Sequence, residues 1–268
     1  TLNHYPQNEL NSKHKRIMSL RIISKSQQAK GNFNGGQIVE NKPIGFPREG
    51  GFVRPFSSLF YWARAKGIVG STIGLHPHQG FEIMSFVLKG DIRHYDTKTD
   101  EWKPLTAGDV QIIRAGSGIE HAERLEKDSV IFQIWVDPDL SKTLSKPASY
   151  DDYPLDAFPV TQDGDVEKRI LIGEGSPLTL DTTPIHITRY NLKGKLEIAK
   201  GDDKILALYI ISGSGMLDGQ TIEQDDFIIA EDENLLAIDP HGEMDIFAIE
   251  VAKETGYKTY AERAARFA

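Results

Sequence analysis

The sequence predicts an all-β protein built as two tandem modules with a short C-terminal helix, and three observations carry that expectation. Short apolar segments with strand-like character, bounded by glycine and proline turns, recur along most of the chain. The second half echoes the first: Tyr209-Ile210-Ile211-Ser212-Gly213-Ser214-Gly215 repeats the pattern of Phe86-Val87-Leu88-Lys89-Gly90, and Gln224-Asp225-Asp226-Phe227-Ile228-Ile229 that of Gly108-Asp109-Val110-Gln111-Ile112-Ile113. The closing stretch, Tyr257 to Phe267, is rich in alanine, arginine and glutamate and reads as a helix. A chain of 268 residues with 39% hydrophobic content has enough apolar material for packed cores in both halves.

Taken in order, residues 1–17 form a polar leader expected to be flexible, with a local basic cluster at Lys13-His14-Lys15-Arg16; folding is expected to begin near Met18, which could itself be a start. The first module is expected over 18–138. Its strands include Glu82 to Leu88, ending at Lys89-Gly90, and Asp109 to Ile113, ending in the turn Ala115-Gly116-Ser117-Gly118. Glycine in that turn permits positive φ and would deliver His121 sharply into an interior. Pro138, Pro147, Pro154 and Pro159, with Asp151, Asp152 and Asp156, mark a connector over 139–165. The second module is expected over 166–268, with strands at Arg169 to Ile172, Ile185 to Tyr190, Ile205 to Ile211 and Phe227 to Ala230.

Two short runs carry the chemistry, His76-Pro77-His78 and His121-Ala122-Glu123. Each places two polar side chains at i and i+2, which on a strand share a face, so two strands can aim three imidazoles and one carboxylate at a single point. That donor set suits a mononuclear metal. With no cysteine, the site must use nitrogen and oxygen alone, and disulfides and a cysteine nucleophile are excluded. Glu82 shares the alternation parity of His76 and His78 and competes with Glu123 for the carboxylate position; its other expected role is to orient a ligand histidine by hydrogen bonding. Aligning the two halves on their echo puts Ala199 and Gly201 opposite His76 and His78, and Ala237 and Ile238 opposite His121. The second module is therefore expected to hold no metal, and the isolated His186 and His241 are read as non-ligating.

A net charge of −8 without a basic stripe argues against direct nucleic-acid binding. No apolar run approaches a membrane span or a signal-peptide core, so a cytoplasmic setting is the default expectation.

The stretch from Gly74-Leu75-His76-Pro77-His78-Gln79-Gly80-Phe81-Glu82, through Arg93-His94-Tyr95-Asp96 and Ala107-Gly108-Asp109-Val110-Gln111, to Gly118-Ile119-Glu120-His121-Ala122-Glu123 and Phe132-Gln133-Ile134-Trp135-Val136 closely resembles the pirin family of cupins. The likeness runs from about Pro55 to Asp137. It implies a bicupin, two jelly-roll β-barrels in tandem, with a single metal in the first barrel, usually iron. Carried over position by position, the ligands would be His76, His78, His121 and Glu123. Gln79 stands where arginine is usual, and Ala122 and Arg124 flank Glu123 where many relatives have serine and methionine; these departures touch the surroundings of the metal and leave its ligands intact.

The resemblance implies quercetin 2,3-dioxygenase chemistry on a small aromatic or enol substrate and dioxygen, with Glu123 as both ligand and proton acceptor. Three imidazoles and a carboxylate leave one or two positions of a six-coordinate ion open for a substrate oxygen and for dioxygen or water. The expected cofactor is one divalent metal, Fe(II), with zinc, nickel, manganese or copper able to occupy the site on purification. Two other readings stay open: a redox-sensing regulator that contacts a protein partner through the same centre, and a zinc or nickel hydrolase or isomerase. Gln133 could donate a hydrogen bond into the cavity, while Phe81 and Trp135 are expected to be core.

Overall fold

A computed structural model describes residues 20–182 and 184–264. The expected leader over 1–17, the Met18 start and the last residues of the expected terminal helix lie outside the described residues. Within them the chain is almost entirely antiparallel β, arranged as two modules that each stack a seven-stranded sheet on a four-stranded one.

In the first module the large sheet runs Ser149–Tyr153, Val110–Arg114, Glu82–Lys89, Val130–Val136, Leu59–Gly67, Ile38–Ile44, Ala29–Phe33, and the small sheet Ser71–His78, Ile119–Leu125, Asp91–Asp96, Glu101–Thr106. The second module repeats this with a large sheet of Leu20–Ile23, Phe227–Ala230, Lys204–Ser212, Met244–Ala252, Ile185–Leu192, Val166–Ile172, Val160–Asp163, and a small sheet of Leu196–Ala199, Leu235–Pro240, Ser214–Leu217, Gln220–Glu223. Three sheet partnerships cross the boundaries expected from the sequence, one of them joining Val160–Asp163 of the expected connector to Val166–Ile172 of the second module. Leu20–Ile23, on the N-terminal side, pairs with Phe227–Ala230 of the second half. Ser149–Tyr153, in the expected connector, pairs with Val110–Arg114 of the first.

The two large sheets pack face to face, which explains why their strands read as unbroken apolar runs: both faces are covered. Along Glu82–Lys89, Met84 and Phe86 enter the core shared by the modules, whereas Ile83 and Val87 enter separate clusters inside the first. Trp62 lies at the centre of the shared core, with ring centroids 5.4 Å from Phe132, 5.3 Å from Phe227, 5.6 Å from Phe247 and 6.1 Å from Tyr209. Aliphatic side chains fill the interior of the second module, among them Leu206, Leu208, Ile210, Ile228, Leu236, Ile238 and Ile246.

The terminal helix begins at Tyr260, later than expected, and runs to Ala264 within the described residues; Glu262 accepts from the Thr259 N–H at 2.8 Å to cap it. It docks on the first module, where Arg263 meets the buried Asp137 at 3.0 Å and the Tyr260 ring lies 4.8 Å from Phe60. Among the described residues no helix is long and apolar enough to cross a membrane.

Candidate metal centre

Strand geometry explains how the two histidine runs meet. Ser71–His78 is an edge strand of the small sheet, the position where Pro77 costs no ladder hydrogen bond. Its neighbour Ile119–Leu125 follows the glycine turn, in which Gly116 and Gly118 take φ of 47° and 136°. His121 pairs directly with His76; a bulge then shifts the register so that Glu123 lies opposite Ile73. On the other flank the pairing is regular and sets Glu123 against His94.

The three expected histidines converge. His121 Nε2 lies 2.9 Å from His76 Nε2 and 3.0 Å from His78 Nε2. Glu123 stands beside His121 in an overlapping group whose third member is His94; in each trio the potential ligand atoms lie within 4.8 Å of one another. His121 is thus shared, and the buried His94 is a residue that the sequence reading did not place at the site. Its signal was present in Arg93-His94-Tyr95-Asp96, another pair at i and i+2. His94 Nε2 contacts Asp96 Oδ2 at 3.2 Å, and its ring stacks on Tyr150 at 4.7 Å and 12°. Asp96 is fixed in turn by the N–H groups of Lys98 and Thr99 at 2.8 and 2.7 Å.

Glu123 comes from the small sheet but is gripped from the large one. Ser85 and Gln133 are cross-strand partners there, and both face it. Ser85 Oγ donates to Oε1 at 3.2 Å and Gln133 Nε2 to Oε2 at 2.6 Å. Gln133 Oε1 accepts from Trp135 Nε1 at 3.1 Å, which fixes the amide orientation. The indole also meets the His78 ring edge-on at 4.9 Å, so Trp135 belongs both to the core and to the support of the site. Phe81 packs against Phe60 at 4.7 Å, as a core residue would.

Glu82 is engaged elsewhere. Its carboxylate accepts from the N–H of Asp181 at 2.7 Å and from the N–H and hydroxyl of Thr182 at 2.8 and 2.6 Å, all in the segment entering the second module. The expected role of orienting a ligand histidine is therefore replaced by a clasp between modules, because Gly80, at φ 85°, breaks the strand between His78 and Glu82.

The electrostatics favour a cation. Burial, with His76 alongside, pushes His78 down to about 4, and burial pushes His94 down to about 4 as well. His121 is lowered by burial and then by the imidazoles around it, so His78, His94 and His121 are all pushed toward the neutral form, which ligates metals. Burial raises Glu123, opposed by Gln133, His76 and Ser85. His76 Nδ1 contacts the Gly74 carbonyl at 2.7 Å; as the donor in that contact it leaves the Nε2 lone pair directed at the cluster. Convergent Nε2 atoms, neutral imidazoles and a buried carboxylate fit a nitrogen-rich site for one divalent metal, with the ion's identity open. Beside His78 a shallow depression of about 580 Å³, lined by Pro77, Gln79, Thr97, Ser117 and Glu120, opens to solvent.

Paired large and small sheets in each half, with a His/Glu cluster in the first half alone among the described residues, give a double-barrel cupin fold with a potential metal centre. Residues 51–136, about a third of the chain, match the family model Pirin. A pirin-like protein of Caulobacter vibrioides is 36% identical over 102 residues, covering 37% of this chain and 36% of that protein. The quercetin 2,3-dioxygenase of Escherichia coli K12 is 36% identical over 73 residues, covering 26% of this chain and 31% of that protein. The matched part of the chain thus spans well under two thirds of either relative. Among solved structures, the bacterial pirin YhhW of Escherichia coli in complex with nickel(II) superposes with a TM-score of 0.74 at 19% identity, covering 88% of this chain and 100% of that one, a likeness of fold.

Proposed function

We propose that this chain is a metal-dependent dioxygenase of the pirin type, which holds one mononuclear Fe(II) through His76, His78, His121 and Glu123 and acts on a chelating flavonol or enol such as quercetin. The observation that carries the reading is the convergence of three histidine Nε2 atoms on one point beside a buried carboxylate. Relatives named for quercetin 2,3-dioxygenase activity support the reaction class. The same reading places the metal in the first module, over 18–138, leaves the second, over 166–268, without one, and sets the protein in the cytoplasm.

Bound there, Fe(II) would supply open positions for a substrate oxygen and for dioxygen. The depression beside His78 admits an aromatic substrate from solvent. Gln133 and Ser85 hold the Glu123 carboxylate in place, and its Oε1, bound only by Ser85 at 3.2 Å, is the freer atom to take the substrate hydroxyl proton. Trp135 backs the inner side of the His78 ring.

The test is oxygen uptake with quercetin by metal-free protein reconstituted anaerobically with Fe(II), beside His121→Ala and Glu123→Ala. Turnover is expected in the unaltered protein and a fall of about a hundredfold or more in each variant. Stoichiometric Fe(II) binding without oxygen uptake would sink the flavonol reading and favour the redox-sensing regulator.

A further inference from the structure

The outward face of the first module's large sheet carries a second feature, on the other side of the sheet from Ser85 and Gln133. Lys30, Asn41, Arg64 and Lys66 point to the same side as Phe132, as their cross-strand pairing requires: Phe132 with Arg64, Arg64 with Asn41, and Asn41 with Lys30. Phe132 packs on Tyr209 and Phe247 of the second module. Beyond that contact the sheet overhangs its partner, and the overhang forms a cleft of about 530 Å³, a volume that suits a small-molecule ligand.

Four cations line the cleft, Lys25, Lys30, Arg64 and Lys66, in a chain of net charge −8. Their acidic complement is incomplete. Asp225, reaching across from the second module, takes Lys25 at 2.6 Å and already accepts from the Tyr209 hydroxyl at 3.0 Å. Glu40 is paired with Lys42 at 3.2 Å. Lys66 reaches Asp128 only at 3.8 Å, and the Lys30 ammonium donates to two neutral oxygens, the Lys25 carbonyl at 2.8 Å and Asn41 Oδ1 at 2.5 Å. Arg64 is the most telling of the four. Its side chain is only 16% exposed, and its buried Nε faces Asp225 Oδ1 at 3.4 Å in an ion pair that does not close into a hydrogen bond. A guanidinium held by a single loose ion pair keeps donors for a further acceptor, and a planar fork beside two lysines matches a tetrahedral oxyanion. Lys30 is pushed below the ordinary lysine range by burial and then by Lys25, a cost that an anion in the cleft would relieve.

We propose that this cleft binds the phosphate group of a soluble small molecule, gripped by Arg64, Lys30 and Lys66. Arg64 lies within the cleft, which argues for a free phosphate or phosphate ester over a bilayer headgroup. Because the site lies on the opposite face of the sheet from Ser85 and Gln133, it stands or falls independently of the dioxygenase reading.

The experiment is calorimetric titration of the full chain with inorganic phosphate, against chloride at matched ionic strength, before and after removal of divalent metal with EDTA. Saturable binding is expected in both states. The Lys30→Gln/Lys66→Gln double variant, which changes no Asp225 contact, is expected to weaken it about tenfold or more, and Arg64→Lys to weaken it as well. Far-UV circular dichroism and the melting temperature in chloride establish that each variant is folded. Absence of binding at about 10 mM phosphate, or equal affinity in the unaltered and double-variant proteins, would overturn the proposal. Phosphatidic acid vesicles form a second arm; sedimentation with vesicles that the double variant abolishes, without any response to free phosphate, would also overturn it.

Discussion

Gln133 shows how much of the centre depends on single amide and hydroxyl groups. It accepts from Trp135 and donates to Glu123, so Gln133→Leu would leave a buried carboxylate oxygen without its 2.6 Å donor and the indole without an acceptor. Metal affinity is expected to fall about 10- to 100-fold, as for other groups that orient a ligand, measured by titration with Co(II) as a spectroscopic probe. His94→Phe keeps a ring that can stack on Tyr150 but removes the nitrogen facing Asp96; an affinity loss of about tenfold is expected by the same titration. His76, His78, His121 and Glu123 were legible in the sequence because alternation along a strand is a local rule. Ser85 and Gln133 were not legible as the grip on Glu123, because that role depends on which strands pair and which sheets face, information spread over about fifty residues.

At the scale of elements, the parity that made Glu82 look like a ligand fails at one glycine. Gly80 turns the chain out of the small sheet, and Glu82 opens a strand of the large one. Its carboxylate then holds Asp181 and Thr182, so Glu82→Gln, which sets an amide donor against two N–H groups, is expected to cost about 2–4 kcal/mol in urea unfolding. Metal stoichiometry and affinity should stay within about twofold of the unaltered protein; a larger loss would return Glu82 to the ligand set. The prolines and aspartates of 139–165 signalled a connector. They hid Ser149–Tyr153 because an edge strand with an exposed face tolerates the Asp151-Asp152 pair that a central strand would exclude. The second module's strands were readable for the opposite reason, since both faces of its large sheet are apolar.

At the scale of the whole molecule, the modules share one core around Trp62, so they are expected to unfold together. Trp62→Ala should lower stability by about 3–5 kcal/mol, and fluorescence and far-UV circular dichroism should report one coincident transition. Two separated transitions would show that the shared core does not couple the barrels. The sequence echo pointed to two copies of one pattern but not to their packing, since which face of a doubly apolar strand meets the other module is a tertiary choice. Leu20–Ile23 carries a further consequence, for the order of events during synthesis. It joins Phe227–Ala230, whose codons are read about 200 residues later, roughly 10–40 s at ordinary elongation rates. Through that interval the nascent chain carries an apolar strand with nothing to zip against. A neighbouring polypeptide on the same polysome offers the identical acceptor edge, so the feature that ties the finished barrels together also makes crowded translation the moment of greatest risk for intermolecular strand exchange.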